Sequence, residues 1–522
     1  MNISALPTEL VLAIIKCIRS KADVAHFGQT SRNIYGLAMP ELFRQSYQDN
    51  KTDTLYWAAK HGHSRVVQLF LEANIYLGLD SLSPYMNCAL LLSAQHGQTS
   101  VANTLLSMEG VDPDNRDTSS RRTALSYASQ RACFDIVKLL LETNTVDLNS
   151  KDRVFGRSPL IWAVEGPHSD VQCSDDDSFA VIMLLLENGA HIDFLDYDYR
   201  SALFWATAKG PGSIALVRFL LQNGARPDGH LSEEQPPIVR SNWRLGLKER
   251  GEHLDLIRGC RFPMSLAAWN GHDDLIKILL EYNAKIECTK ILGLILNQHP
   301  LVCAATKGRL SSARLLMERG ACPWTTGNPL SCAAKNGHPE MVQLLLDEMI
   351  HHSQITVGDR GDEKFERREC PLDQKTHSPS KSAMLALPDG IKSRSVRVVR
   401  SLLTVPGFDI NHQCVQNPLM IAVKCEPRNI EIIKALLAVD GIDKRINEQD
   451  FEGNKVLTWA YHNECDDEII QLLTDKGAQG ASEPYRSLVE RPQDGQHDAP
   501  PLRSNGSQIR VSDSWTFQNR IS

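Results

Sequence analysis

The chain has 522 residues, 42% hydrophobic and 23% charged, with aromatics at only 6%. At roughly 150 residues per domain this is too long for one core, so several domains or one extended repeat array are required. The net charge of −7 argues against nucleic acid as a partner, and the longest apolar run, Phe179 to Leu186, is far short of the about 20 residues of a membrane-spanning helix.

The chain opens MNISALPTELVLAIIK, with no basic stretch before its apolar residues, so no secretory signal is expected. Thirteen cysteines are scattered without a CxxC pair, which fits reduced thiols in an intracellular compartment, cytoplasmic and/or nuclear. Residues 3–45 lack the periodicity that begins at residue 53. Leu6-Pro7-Thr8-Glu9 reads as a helix start, with Pro in the first turn and an acid favoured there by the helix dipole. Leu10, Ile14 and Ile18 then fall at i, i+4 and i+8, and Asp23 caps a second helix with Val24 and Phe27 facing inward. The Leu-Pro-x-Glu opening, Ile14 and the Asp23-Val24 pair resemble an F-box. A Trp often found near the end of that pattern is absent, with Ile34-Tyr35 nearby instead. The resemblance implies docking onto a Skp-type adaptor, and through it a cullin, by a surface of Leu6, Pro7, Leu10, Ile14, Val24 and Phe27. The alternative is a plain helical cap on a repeat array.

From residue 53 the chain repeats itself. Trp57-Ala-Ala-Lys-His-Gly-His63, Leu266-Ala-Ala-Trp-Asn-Gly-His272 and Cys332-Ala-Ala-Lys-Asn-Gly-His338 are each succeeded by an amphipathic apolar run. Weaker copies start at Thr123, Ser158 and Ser201, and Asn-Pro-Leu opens two more at Asn328 and Asn417. The equivalent opening position falls at 53, 88, 123, 158, 201, 262, 299, 328, 382, 417 and 455, eleven copies with a first spacing of 35 residues. Pro159, Pro300, Pro329 and Pro418 sit where a helix's first turn needs no N–H. Gly62, Gly271 and Gly337 fall where that helix ends.

This motif and period resemble the ankyrin repeat. The fold implied is an all-α solenoid of helix-turn-helix repeats with short β-turn fingers, behind a small N-terminal F-box-like module. The His of the family's T-P-L-H is missing from every copy, replaced by residues such as Tyr56, Ile161, Phe204 and Met420. The expected organisation is a module at 1–48, repeats 1–5 at 53–227, an insertion at 228–261, repeats 6–8 at 262–346, a charged linker at 347–381, repeats 9–11 at 382–480 and a disordered tail at 481–522. Residues 166–178 lengthen the fourth repeat between its helices.

Catalytic chemistry is not expected. No HExxH, GxxxxGK[ST], GxSxG or GxGxxG occurs. His351-His352 reads as solvated loop and Asp175-Asp176-Asp177 as a solvated charge run. No cofactor, metal or small-molecule substrate is expected. Ankyrin arrays bind through their exposed turns and first helices, so the resemblance points to Arg116, Arg153, Phe155, Tyr197 and Tyr199 as contacts to a target protein. Trp57, Trp162, Trp205 and Trp459 share one slot of the motif, where packing between first helices competes with surface display. The first expectation is a substrate receptor of an SCF-type ubiquitin ligase; the alternative is an ankyrin scaffold with no ligase association.

Overall fold

The computed structural model describes residues 53–76, 82–166, 175–228, 262–286, 299–325, 327–358, 378–412 and 416–480, together with residue 14. These residues form eleven helix pairs. The first helices are Asp53–His61, Ser83–His96, Ala124–Gln130, Pro159–Glu165, Ala202–Ala208, Pro263–Asn270, Pro300–Lys307, Pro329–Lys335, Pro379–Lys392, Pro418–Lys424 and Val456–His462. Their partners are Ser64–Tyr76, Thr99–Leu106, Phe134–Glu142, Asp175–Glu187, Ile214–Gln222, Asp273–Glu281, Leu310–Glu318, Pro339–Gly358, Val396–Leu403, Ile430–Leu437 and Asp467–Asp475.

Local chemistry sets where the first helices begin. The side chains of Thr123, Ser158, Ser201 and Asn328 each accept the backbone N–H three residues on, and His299 and Asn417 the one two residues on. Each cap satisfies a donor that the helix itself cannot. Behind most of these caps comes proline, and Gly97, Gly271 and Gly308 end their helices in the left-handed region.

First helices stack on first helices along one side of the array, and second helices form the other row. The alanines make the close stacking possible: Ala58, Ala59, Ala267, Ala268, Ala304, Ala305, Ala333 and Ala334 are all fully buried. The second helices bury their apolar stripes against both neighbours, as Ile136, Val137 and Leu140 do. No repeat encloses a core alone, so stability resides in the interfaces between repeats. The array is continuous. The first helix of repeat 5 packs on that of repeat 6 across residues 229–261, and both helices of repeat 8 pack on those of repeat 9.

Three expectations are corrected. Position 88 is not a repeat opening: Cys88 lies inside Ser83–His96, which starts earlier because Pro84 occupies its first turn. Position 382 is likewise internal, since Ser378 caps the ninth repeat's first helix. The second helix of repeat 8 does not stop at 346. Nothing between Leu346 and Gly358 breaks a helix, and Met349 continues the buried stripe of Leu345 one turn on. His351 and His352 therefore ride on a helix, with His352 Nε2 3.3 Å from Glu348 Oε1. Asp175-Asp176-Asp177 opens the second helix of repeat 4, where the helix dipole favours acids. Apart from Ile14, residues 3–45 lie outside the described residues, as does the tail.

Candidate functional site

Four of the described fingers are tight turns, each governed by one aspartate. In repeat 4, Asp152 Oδ1 accepts the backbone N–H groups of Val154 and Phe155, at 2.8 and 2.6 Å. Its Oδ2 accepts the Arg157 N–H at 2.9 Å and the Trp162 indole N–H at 3.2 Å. One carboxylate thus shapes the finger and ties it to the first helix. Asp196 repeats the arrangement with the N–H groups of Asp198 and Arg200 and the indole of Trp205, the last at 3.1 Å. Asp450 does so with Glu452, Asn454 and Trp459, the indole at 2.7 Å. In repeat 3 a tyrosine stands in: the Tyr127 hydroxyl donates to Asp117 Oδ2 at 2.7 Å.

Protonation of these acids reflects the balance of burial against donors. Burial alone would raise Asp117, but donors from Ser120, Tyr127 and Ser119 prevail and hold it at about 2. Asp450 is likewise pulled to about 2 by Asn454, Trp459 and Lys424 against desolvation. Asp196 is the opposite case. Burial pushes it up to about 6, against the Arg200 backbone N–H and the charges of Arg200 and Arg157.

Between these clasps runs a ladder of alternating guanidinium groups and rings. Arg122 lies 4.1 Å from the Tyr127 ring centre and 3.9 Å from that of Trp162, in the next repeat. Arg157 lies 4.7 Å from Trp162 and 4.2 Å from Trp205. Arg200 continues over Phe204 at 5.1 Å. Each arginine stands immediately before its helix cap, and Arg122 and Arg157 reach across the seam to a ring of the next first helix. Arg157 pairs with Glu165 and Arg200 with Asp198. Arg122 donates to Ser126 Oγ and O instead and makes no ion pair among the described residues. Burial lowers it to about 10, where it is still charged at neutral pH. Desolvated cation–π contacts of this kind contribute up to about 2 kcal/mol each.

The finger backbones also join one another. Arg153 N–H donates to Ser120 O at 2.7 Å and Tyr197 N–H to Phe155 O at 2.8 Å, so the fingers of repeats 3, 4 and 5 form one strip. On it, Arg153 and Val154 point to solvent, and Tyr197 is 45% exposed with its ring over Gly156 of the preceding finger. Phe155 is half-buried, edge-on to Trp162 at 6.0 Å. Tyr199 is also half-buried, at a left-handed turn position with φ +63°. Arg116, its side chain about a third exposed, lies 3.6 Å from Asp114 and 3.5 Å from Asp147. Among the four tryptophans sharing one slot, Trp162 and Trp205 are buried and Trp459 is half-buried. Trp57 alone is 53% exposed, stacked on His63 at 4.7 Å. Of the six residues expected to dock an adaptor, only Ile14 is among the described residues, and it is exposed.

Sequence reasoning passed over Arg122, Arg157 and Arg200. Their signal was legible as Arg-Thr or Arg-Ser at three successive caps, each with an Asp four or five residues ahead. Among the described residues no group of His, Cys, Asp and Glu could hold a metal ion, and no helix is long and apolar enough to cross a membrane.

Comparison with known proteins agrees with this architecture. The family model for ankyrin repeats (3 copies) matches residues 90–173, 125–229, 261–358 and 387–483. The chain is similar to the B-cell lymphoma 3 protein homolog of Mus musculus, 36% identical over 191 residues, which is 36% of this chain and 35% of the mouse protein. It is similar to the ankyrin repeat and KH domain-containing protein mask-1 of Caenorhabditis elegans, 25% identical over 331 residues, 57% of this chain and 12% of that one. It also resembles the human transient receptor potential cation channel subfamily A member 1, 30% identical over 217 residues, 37% of this chain and 18% of the channel. The chain thus spans about a third or less of these relatives' lengths. The matched segments together cover more than half of the chain and coincide with its helix pairs, so the chain belongs to the ankyrin-repeat family.

Proposed function

We propose that this chain is the substrate-recognition subunit of an SCF-type cullin–RING ubiquitin ligase. Its ankyrin array captures a target protein, and its N-terminal module docks a Skp-type adaptor. Protein–protein interaction is the role that ankyrin repeats indicate. The finger strip of repeats 3 to 5 supports it here: joined backbone to backbone and carrying exposed Arg and Tyr side chains of the kind that dominate binding hot spots.

The adaptor half rests on one observation, the Leu6-Pro7-Thr8-Glu9 opening with Ile14 and Asp23-Val24 behind it. A helical module of about 43 residues buries too little surface to be robust alone, which suits completion of its apolar face by a partner. In this reading the chain binds and positions, and the chemistry of ubiquitin transfer belongs to other subunits. The test is co-purification of the full chain with its Skp-type adaptor beside a Leu6→Ala/Pro7→Ala variant. Binding by the wild type and loss in the variant is the expected result. A folded wild-type chain that fails to bind would leave an ankyrin scaffold without ligase association.

A further inference from the structure

The strip across repeats 3 to 5 is set apart by its charge as well as by its backbone hydrogen bonds. Three cations line it. Arg121 and Arg153 are exposed, and Lys151 is half-buried with Nζ 4.5 Å from the Phe194 ring centre and 6.0 Å from that of Tyr197. None of the three makes an ion pair among the described residues. The acids nearby are engaged: Asp147 and Asp114 on Arg116, Asp198 on Arg200, Asp117 on its own finger's donors, and Asp196, whose charge reaches Lys151, on the donors of its finger and Trp205. Beneath the strip lies Arg122, a half-buried cation between two rings that makes no ion pair among the described residues. The charges of Asp152, Glu165 and Asp117 act on it from nearby, so the pull on an anion comes from Arg121, Arg153 and Lys151 at the surface. Among these cations stand two exposed apolar groups, Val154 at 49% and Tyr197 at 45%.

We infer that this strip takes an extended acidic segment of the partner protein, with an apolar side chain seated between Val154 and Tyr197. This inference rests on the protein-binding reading of the array and names the chemistry of what is bound. Carboxylates of the segment pair with Arg121, Arg153 and Lys151, and Arg153 and Arg121 are kept adjacent by the Arg153 N–H to Ser120 O bond. The Tyr197 ring is pre-positioned on Gly156, so little side-chain entropy is lost on contact. A polyanion such as RNA would satisfy the cations but not Val154, and the chain's net charge of −7 opposes a long phosphate backbone.

The experiment uses the full chain against immobilised synthetic peptides of one length and one leucine content, with net charge varied from acidic to basic. Retention is expected to rise with acidic content and to fall with added salt, since the pairing charges are solvent-exposed. An Arg121→Ser/Arg153→Ser variant, altered only at exposed side chains, is expected to melt as the wild type does and to bind the acidic peptides roughly tenfold more weakly. Arg153→Glu is expected to shift preference toward basic peptides. Retention indifferent to peptide charge, no retention of any peptide, or full retention by the double variant would each overturn the inference. So would single-stranded RNA of equal length binding as tightly as the acidic peptides. Adaptor co-purification is read separately in the same variants and depends on residues 3–45, so failure of one reading is distinguishable from failure of the other.

Discussion

Asp152 accepts the indole N–H of Trp162 at 3.2 Å, and through that bond a finger and a helix ten residues further on become one unit. The same carboxylate shapes its own turn through three backbone donors. Replacing Asp152 by Ala strands four buried or half-buried donors at once. Expected is a loss of about 3 kcal/mol, in the range for breaking a buried charged hydrogen-bond network. Repeat arrays need not unfold in one step, so hydrogen exchange at the amides of 153–165 is the suitable readout. Unchanged protection there would refute the assigned role.

The slot shared by Trp57 and Trp162 gives a paired prediction. Trp162 is 2% exposed and lies between Arg122 and Arg157, so Trp162→Ala should cost about 3–5 kcal/mol. Trp57→Ala should stay within about 0.5 kcal/mol, as an exposed substitution does. Denaturant titration of both variants checks the contrast; equal losses would contradict it.

Gly156 tests the strip itself. Its φ of +69° is costly for other residues, and an added Cβ would sit 2.5 Å from the Tyr197 ring. Gly453 shares a positive φ but has nothing within 4 Å of that position. Gly453→Ala should therefore cost only the backbone term, about 1 kcal/mol, whereas Gly156→Ala should cost more and speed exchange of the Tyr197 amide. If the two substitutions behave alike, the ring is not seated as described.

Asp196 predicts a pH signature of unusual sign. Its pKa is raised by burial to about 6 from an ordinary 3.8, so between those values the folded chain holds a proton that the unfolded chain does not. Stability from this group falls as pH climbs from about 4 to about 6 and is flat above. Asp117, lowered to about 2, contributes in the opposite sense: its stabilisation is present above about pH 4 and is lost as pH falls toward 2. Urea midpoints measured across this range should show the Asp196 slope in the wild type and lose it in Asp196→Asn. Identical pH profiles would dismiss the assignment.

Much of the helical framework was legible residue by residue. Thr123, Ser158, Ser201, His299, Asn328 and Asn417 are short-range devices: a side chain and an N–H two or three residues away decide the helix start. Other starts use a different device and are harder to place. Cys88 carries the right spacing, but Pro84 starts that helix a turn earlier. The second helix of repeat 8 is longer than its polar, charged sequence suggests, because Met349 still has a core to enter. The two carboxylates beside Arg116 come from two different turns, Asp114 in its own and Asp147 in the next, a pairing that spacing along the chain does not reveal.

What the amino-acid order determined by itself is the repeating helix pair, because caps, first-turn prolines and apolar periodicity all act within a few residues. What only the stacking of repeats decided is which copy of a motif position meets solvent. Trp162 and Trp205 are covered by Arg122 and Arg157, each delivered from the finger of the preceding repeat. Trp57 occupies the same slot in the first described repeat and stacks on its own repeat's His63 instead. Burial of one ring by a guanidinium from another repeat is a property of the interface, and no local pattern around the tryptophan encodes it.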